Sequence, residues 1–341
     1  MRFGLIGYGR WGKAHAQAIL KAPSAVLAGI AVNTDETEAI ARADFPDIPV
    51  YLDYHELLKQ TDIEAIDVVA PNHVHAEIGI AVLESGKNLF IEKPMAPTIE
   101  ECDRLIEAAK KNNCVLTVGH QQRLSTQWGR LKEIIEAGEI GEPQFALVSL
   151  FRHPYRQGAG GWRFSAGKVG SWILEEPVHF FDILMWYFKK WGNPSTVSAF
   201  GNSNTRSRDH GMYDNFSSIV RWPNNLYGIV TQTLAGFEHH QMMEIVGSEG
   251  AIRTWWSGAT DHTRHPSFEL KVKRQGQEES EIITIPPSGE SFDIEEELKR
   301  VVVAFNEKRP IVSGEEARKC ILVCNEAERS VLEGREIDLH F

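Results

Sequence analysis

The first twelve residues constrain the fold of this chain more than any other stretch. A short apolar run, residues 3–6, leads into the pattern Gly7-x-Gly9-x-x-Gly12, and residues 13–20 have the composition of a helix. A strand, a glycine turn and a helix in this order suit the pyrophosphate of a dinucleotide, because free backbone N–H groups at the positive end of the helix bind the anion. The pattern predicts the start of a Rossmann domain, although glycine turns with a purely structural role are also common.

The length and composition of the chain narrow its class. Its 341 residues favour two domains, and 42% apolar with 24% charged residues is typical of a soluble globular protein. No apolar run approaches the roughly 20 residues of a membrane helix, and a predicted strand begins where a signal peptide would lie. The net charge of −11 argues against nucleic acid, and four cysteines without a CxxC pair favour reduced thiols. We expect a cytoplasmic protein whose partner is a small molecule, not nucleic acid or a membrane.

Two patterns of hydrophobicity divide the chain. Residues 1–120 alternate short apolar runs with amphipathic segments, which predicts a doubly wound parallel sheet with helices on both faces. Residues 144–285 contain short alternating runs separated by turn residues, which is typical of antiparallel strands. We therefore predict an α/β fold, with a Rossmann domain over 1–122 and an α+β domain with a largely antiparallel open sheet over 123–341. Helices are predicted in the second region over residues 176–188, 294–306 and 314–333.

Polar residues follow two predicted strands of the first domain. Pro71, Asn72 and His75 come after the strand at 65–70, at the carboxyl end where ligands of doubly wound sheets lie. A cofactor contact and a structural role, such as capping of the next helix by Asn72, both remain open. The sequence Glu92-Lys93-Pro94 follows the next strand, and we expect its lysine to lie beside a cofactor and to stabilise developing negative charge. The bond before a proline can be cis, which would fix the direction of the lysine.

The segment 170–182 is a third candidate. Glu175 and His179 lie four residues apart where Pro177 suits the first turn of a helix. A carboxylate beside an imidazole raises the pKa of the histidine and orients it, which suits a base that acts near neutral pH. A buried histidine of the core is the structural alternative. We expect Asp182 to tie the helix to a neighbouring loop.

These motifs occur in order along nearly the whole chain, and the stretch from Gly119 to Arg123 lies between Glu92-Lys93-Pro94 and the segment 170–182. In this the chain resembles the Gfo/Idh/MocA family, which is named for glucose–fructose oxidoreductase and inositol dehydrogenase. The resemblance implies NAD(P)-linked oxidation or reduction of a sugar or polyol. It also implies that the open sheet of the second domain supports a homodimer or homotetramer, so that residues 123–341 serve both substrate binding and oligomerisation.

The resemblance also implies roles for individual residues. Lys93 corresponds to the catalytic lysine and His179 to the proton-transferring histidine, whereas Glu175 stands where the family usually has an aspartate. We expect His179 to accept the hydroxyl proton, Lys93 to stabilise the alkoxide, and Glu175 to orient His179 or a neighbouring hydroxyl. The predicted cofactor contacts are Gly7, Gly9, Arg10, Trp11, Gly12, Asn33, Thr34, Pro71, Asn72, His75, Glu92, Lys93, Gln121, Trp162 and Arg163. The predicted substrate contacts are Lys93, His120, Arg123, Trp162, Glu176 and His179, and no metal is predicted.

Two choices stay open at this point. Asn33 and Thr34 stand where NAD enzymes carry an acid for the ribose hydroxyls, and Arg10 could pair a 2′-phosphate, so NAD is favoured over NADP without excluding it. The alternative function is an NAD-dependent glycoside hydrolase that uses transient oxidation, with Glu175 and Glu176 as acid or base. A cofactor-binding sensor without turnover is disfavoured, because it needs neither Lys93 nor His179.

Overall fold

The computed structural model describes residues 1–156, 158–203 and 210–341, and these form two compact units. The first unit comprises Met1–His120 and Ile294–Ile321. The second comprises Gln121–Asp293 and Leu322–Phe341. Among the described residues, no helix combines the length and the apolar character needed to cross a bilayer.

A six-stranded sheet forms the centre of the first unit. All of its strands are parallel, and their order is β3-β2-β1-β4-β5-β6, which places the reversal of strand order between β1 and β4. This confirms the predicted doubly wound sheet. Its strands are β1 (Arg2–Ile6), β2 (Val26–Ala31), β3 (Val50–Tyr51), β4 (Ala65–Val68), β5 (Asn88–Glu92) and β6 (Leu116–Gly119), and the helices within residues 1–120 are α1 (Arg10–Lys21), α2 (Asp35–Asp44), α3 (Tyr54–Leu58), α4 (His75–Glu84) and α5 (Ile99–Lys111).

A mostly antiparallel sheet forms the second unit. Nine strands are found in the described part of the chain, in the order β14-β13-β12-β11-β7-β10-β9-β8-β15, and of these pairs only β7 with β10 is parallel. This confirms the predicted α+β domain with an open sheet. The strands are β7 (Pro143–Phe151), β8 (Thr196–Asn202), β9 (Asn215–Arg221), β10 (Tyr227–Thr233), β11 (His239–Gly247), β12 (Gly250–Gly258), β13 (Ser267–Arg274), β14 (Glu281–Ile282) and β15 (Ile337–Asp338), and the remaining helices are α6 (Trp128–Glu136), α7 (Ala166–Val169), α8 (Pro177–Tyr187), α9 (Glu290–Asn306) and α10 (Gly314–Glu333).

The two compact units do not follow a single cut such as the predicted boundary between residues 122 and 123. Residues 294–321 pack with the first unit, because the apolar face of α9 lies in the same buried cluster as β1 and β5. Phe305 of α9, for example, lies with its ring centroid 6.1 Å from that of Phe3. The burial of this face removes apolar surface from water and holds the segment there.

Helix α8, which carries His179, lies against one face of the second sheet. Its Phe181 ring is 6.4 Å from the ring of Phe216 in β9. Gly228 in β10 leaves space for Leu184, since a Cβ at that position would lie only 2.8 Å from the leucine side chain. The alternating burial along β9 follows from this arrangement, because every second residue faces the helix.

Candidate active site

The glycine turn after β1 has the backbone geometry that its sequence predicts. Gly7 has φ of +99°, and a Cβ there would collide with the carbonyl oxygen of Val69. A Cβ on Gly12 would collide with the carbonyl oxygen of Gly7, so α1 passes the turn at a distance that glycine allows. No described atom lies within 4 Å of a Cβ built on Gly9, which precedes α1 without a side-chain cap from the described residues. The start of α1 thus has open space beside Gly9 and no side-chain cap from the described residues, which fits the pyrophosphate of NAD.

The loop after β2 bears on the choice of dinucleotide. Asn33 and Thr34 are exposed, and the Thr34 hydroxyl accepts a hydrogen bond of 3.2 Å from the backbone N–H of Thr37 at the start of α2. Asp35, Glu36 and Glu38 all lie in the first turn of α2. A negative 2′-phosphate near this turn would meet three carboxylates, whereas ribose hydroxyls could donate to them. The local charge favours NAD.

The turn after β4 is tied to the turn after β5 by a buried histidine. The His75 ring lies with Nδ1 2.7 Å from the carbonyl oxygen of Pro94 and Nε2 2.7 Å from that of Ala70. Asn72 is buried at the start of a 3-10 turn, and Val74 rather than Asn72 is the N-cap of α4. Val74 thus occupies the N-cap position of α4, and both the capping role and the cofactor contact of Asn72 stay predictions. His75 has a structural function in joining these two turns, and its contact with the cofactor stays a prediction.

Glu92 and Lys93 lie at the carboxyl end of β5, where the sequence places them. The Lys93–Pro94 peptide is cis, as the sequence permits. The Glu92 side chain turns into the sheet, where its Oε2 accepts a hydrogen bond of 3.2 Å from the backbone N–H of Lys93. The Trp11 indole also hydrogen-bonds the Glu92 carboxylate. Trp11 and Glu92, both predicted as cofactor contacts, are thus brought together.

A fully buried imidazole continues this contact. His15 of α1 lies with Nδ1 2.8 Å from Oδ2 of Asp67 in β4 and Nε2 3.0 Å from Oε1 of Glu92. Burial alone would lower the pKa of His15, but Asp67 and Glu92 outweigh it and raise the pKa to about 10. For Glu92, burial favours the neutral acid, yet His15, Lys93 and Trp11 hold the pKa of its carboxyl below its usual value. His15 is therefore an imidazolium at neutral pH.

The stretch after β6 holds three of the predicted site residues. His120 and Gln121 are almost completely buried. Arg123 pairs in two hydrogen bonds with Asp182 of α8, from Nε to Oδ2 at 2.8 Å and from Nη2 to Oδ1 at 2.6 Å. This confirms that Asp182 ties the helix to a neighbouring loop. Arg123 thus binds Asp182 through two of its three guanidinium nitrogens, and its contact with the substrate stays a prediction.

The start of α8 brings Glu175 together with two residues predicted near the cofactor. Pro177 is the first residue of the helix, and His179, which is 2% exposed, lies in its first turn. Glu175 accepts a hydrogen bond of 2.9 Å from Nε of Arg163, whose guanidinium stacks 4.7 Å above the Trp162 ring. Glu175, which stands where the family usually has an aspartate, is therefore held by an arginine. Trp162, Arg163 and Glu175 form one contact group.

Glu176 belongs to a separate cluster of charges. Its Oε2 accepts a hydrogen bond of 2.6 Å from Nη1 of Arg152, which also lies 3.4 Å from Asp261 and stacks on Tyr155. The Oε1 atom of Glu176 is buried and has no hydrogen-bond partner among the described residues. His262 lies beside Asp261, the second acid near Arg152. Its Nε2 is 3.5 Å from Asp261, and its Nδ1 is 3.3 Å from Glu290. Since His262 presents a different nitrogen to each acid, we interpret this group as ion pairs and assign no metal.

Three of these residues were not predicted from the sequence, and only Asp67 carries a sequence signal. Asp67 is a charged residue in a parallel strand buried on both faces, and such a residue requires a partner. His15 lies three residues after Gly12, on the helix of the glycine turn, where it reads simply as a helical residue. Arg152 directly follows β7, and its partner Glu176 is distant in sequence.

Comparison with known proteins agrees with this geometry. Residues 1–120 match the family described as "Oxidoreductase family, NAD-binding Rossmann fold", and residues 128–253 match the "GFO/IDH/MocA C-terminal domain". The chain is 26% identical to the myo-inositol 2-dehydrogenase of Thermotoga maritima, over 99% of this chain and 98% of that protein. It is 28% identical to the levoglucosan dehydrogenase of Pseudarthrobacter phenanthrenivorans, over 74% of this chain and 73% of the relative.

Solved structures share the fold over the full length. A levoglucosan dehydrogenase in complex with NADH and levoglucosan superposes with a TM-score of 0.87 at 24% identity, covering 100% of both chains. The scyllo-inositol dehydrogenase of Lactobacillus casei, with bound NAD(H) and scyllo-inositol, gives 0.82 at 18% identity, covering 99% of this chain and 98% of that one. At these identities the likeness establishes the fold.

The chain belongs to the Gfo/Idh/MocA family of NAD-binding oxidoreductases. This confirms the resemblance seen in the sequence. It also confirms NAD as the cofactor and oxidoreduction as the class of reaction.

Proposed function

We propose that this NAD-dependent oxidoreductase oxidises a ring hydroxyl of a sugar or polyol, or reduces the corresponding ketone. The observation that carries the proposal is the match over 99% of the chain to a myo-inositol 2-dehydrogenase, with Lys93 and His179 both present. A levoglucosan dehydrogenase among the relatives extends the substrate class from cyclitols to sugar derivatives. The relatives reported above are dehydrogenases, so nothing in them favours the hydrolase alternative.

The chemistry divides between the cofactor and the protein. Bound NAD would supply the hydride acceptor. His179 would take the proton of the substrate hydroxyl, and Lys93 would stabilise the negative charge that develops on the oxygen. Such stabilisation is effective when the groups are held in place before the reaction. The Lys93 backbone is held by the buried Glu92, and His179 is buried in the first turn of α8.

Glu175 has a modified role in this proposal. Because its carboxylate pairs with Arg163, we assign it to the placement of Arg163 and Trp162 rather than to proton transfer. The stacked guanidinium and indole would then offer an apolar face and hydrogen-bond donors to the cofactor or the sugar. Glu176, held by Arg152, would accept hydrogen bonds from substrate hydroxyls through its unpaired Oε1.

The remaining predicted contacts divide between the two regions of the chain. We assign cofactor binding to residues 1–122 and substrate binding to residues 123–341, with Gln121 near the boundary. The glycine turn with Arg10 would hold the pyrophosphate, and Asn33 and Thr34 would lie along the ribose. Pro71, Asn72, His75 and Glu92 would border the nicotinamide half, and His120 would contact the substrate.

We also propose that the protein is a cytoplasmic homo-oligomer that associates through the second sheet. Tyr227, Phe145 and Val246 lie side by side on β10, β7 and β11 and are on the face opposite α8. Ile219 and Phe200 extend this apolar surface across β9 and β8, and Phe200 is 74% exposed. A group of exposed apolar side chains on one sheet face is typical of a surface between subunits. The four cysteines are free thiols, which suits a reducing compartment.

The test is NADH formation against a panel of myo-inositol, scyllo-inositol, levoglucosan and common pyranoses, with NAD and NADP in parallel. The proposal predicts NADH from at least one cyclic polyol or sugar, with little NADPH. His179→Ala should abolish turnover while the protein still binds NADH. Release of sugar from an aryl glycoside without accumulation of NADH would instead support the hydrolase.

A further inference from the structure

The buried imidazole of His15 has no part in the proposed chemistry, yet its surroundings are unusual. His15, Asp67 and Glu92 come from α1, β4 and β5, and at most 4% of any of them is exposed. The ring lies between the rings of Trp11, at 5.5 Å, and Phe90, at 5.8 Å. A buried group of two acids and one imidazolium costs more to desolvate than apolar side chains of the same volume. Stability alone therefore does not explain why these charged side chains are buried at this place.

The contacts of the three residues lead to one place in the chain. Asp67 fixes Nδ1 of His15, which sets the direction in which Nε2 points. Nε2 faces the Glu92 carboxylate, whose other oxygen accepts the backbone N–H of Lys93. Opposite, Gly119 of β6 has no side chain to crowd this carboxylate: a Cβ there would lie in tight contact, 3.0 Å from Oε1. Each contact thus restricts the backbone from which Lys93 extends.

We propose that His15 is a positioning residue for Lys93, acting through the Glu92 carboxylate that it holds against the start of the Lys93 backbone. The proposal rests on the catalytic role proposed for Lys93. It also gives α1 a second function, since the helix that begins at the glycine turn would fix the lysine as well as the pyrophosphate. Precise placement is valuable here because a displacement of about 1 Å can lower a rate by roughly 100-fold.

The charges around Glu92 make the role measurable by pH. The groups that face its carboxylate are His15 and Trp11 from α1, Asp67 behind His15 from β4, Lys93 on its own segment and the backbone of Gly119 from β6. Without the imidazolium, burial and Asp67 both favour the neutral acid, so the pKa of Glu92 would rise. As the pH falls, Glu92 would then lose its charge at a higher pH than in the wild type.

The experiment compares kcat, KM, the Kd for NADH and the pH profile of kcat for wild type, His15→Gln and His15→Gln/Asp67→Asn. The double variant removes one acid together with the imidazolium, so it limits the loss of stability. His55→Gln is the matched control, because His55 also pairs with an aspartate, Asp53, at 2.8 Å but is exposed. Melting temperatures and NADH titrations show which variants are folded.

Both His15 variants should lose about 10- to 100-fold in kcat at neutral pH, while the Kd for NADH changes less than about threefold. Their kcat should also gain an acid limb, rising with pH as Glu92 ionises, and His55→Gln should match wild type. A kcat equal to wild type, or one lowered by the same factor at every pH, would overturn the proposal. If neither variant folds, Glu92→Gln decides: unchanged kcat in that isosteric variant overturns it, and a comparable loss supports it.

Lys93→Met separates this inference from the proposed function. If Lys93→Met retains kcat, the catalytic role of Lys93 is wrong whatever the His15 variants do. If Lys93→Met is inactive and folded His15→Gln behaves as wild type, the positioning role alone is wrong.

Discussion

The buried pair of Arg123 and Asp182 allows a test of whether Arg123 has a structural role or contacts the substrate, as the sequence predicts. The two side chains form two parallel hydrogen bonds and are 8% and 1% exposed. Arg123→Met removes the guanidinium from beside the buried Asp182 carboxylate. Breaking a buried pair in this way costs about 3–5 kcal/mol of unfolding free energy.

A double variant distinguishes the loss of the ion pair from the cost of burying one of its charges after the other is removed. In Arg123→Met/Asp182→Leu neither charge remains, so most of the loss should be recovered, to within about 1–2 kcal/mol of wild type. The control is Arg130→Met in the same unit, since the Arg130–Glu133 pair is exposed and should contribute less than about 1 kcal/mol.

The assay is urea unfolding followed by tryptophan fluorescence, together with kcat and KM for the polyol found in the panel. We expect Arg123→Met to lower the free energy of unfolding by several kcal/mol, and the double variant to regain both stability and near-normal KM. If Arg123 instead binds substrate, Arg123→Met would raise KM with little loss of stability, and the double variant would keep the high KM. That result would refute the structural assignment.

Three further outcomes follow from the geometry. Gly12→Ala should weaken NAD binding at least about tenfold, because its Cβ would collide with the carbonyl oxygen of Gly7; a calorimetric titration that shows unchanged affinity would contradict this. His15 has a pKa raised to about 10, so the stability it contributes is fully present below about pH 6.5 and is lost as the pH rises toward 10, and the difference in unfolding midpoint between wild type and a folded His15→Gln should shrink over that range. Arg163→Ala should raise KM more than it lowers kcat, since Arg163 orients Trp162 and takes no proton; a loss confined to kcat would point to a direct role of the Glu175 pair in the chemistry.

Much of the first unit could be predicted because its signals are local. The glycine turn needs residues within a single strand–turn–helix segment, and the conformations of Gly7 and Gly12 follow from it. The same holds for the capping box of α5, where Thr98 accepts from the N–H of Glu101 and the Glu101 carboxylate accepts from that of Thr98. Pro177 likewise marks the first residue of α8.

The features that escaped prediction depend on residues far apart in the chain. His15 and Asp67 are 52 positions apart, and only the parallel pairing of β1 with β4 brings them into contact. The apolar period of 294–306 predicts a helix there, but does not indicate which core it enters. The partners of Arg123 and Glu176 are also distant in the chain, so the sequence did not reveal that each side chain is paired within the protein.

The central claim is that a carbon-bound hydrogen of a ring alcohol passes to NAD. The direct measurement uses the panel substrate that gives NADH, deuterated at every ring carbon, and follows the mass of the nicotinamide product. We expect deuterated NADH and a ketone product in equal amounts, with both absent in His179→Ala. Unlabelled NADH, or consumption of the substrate without any reduced cofactor, would contradict it.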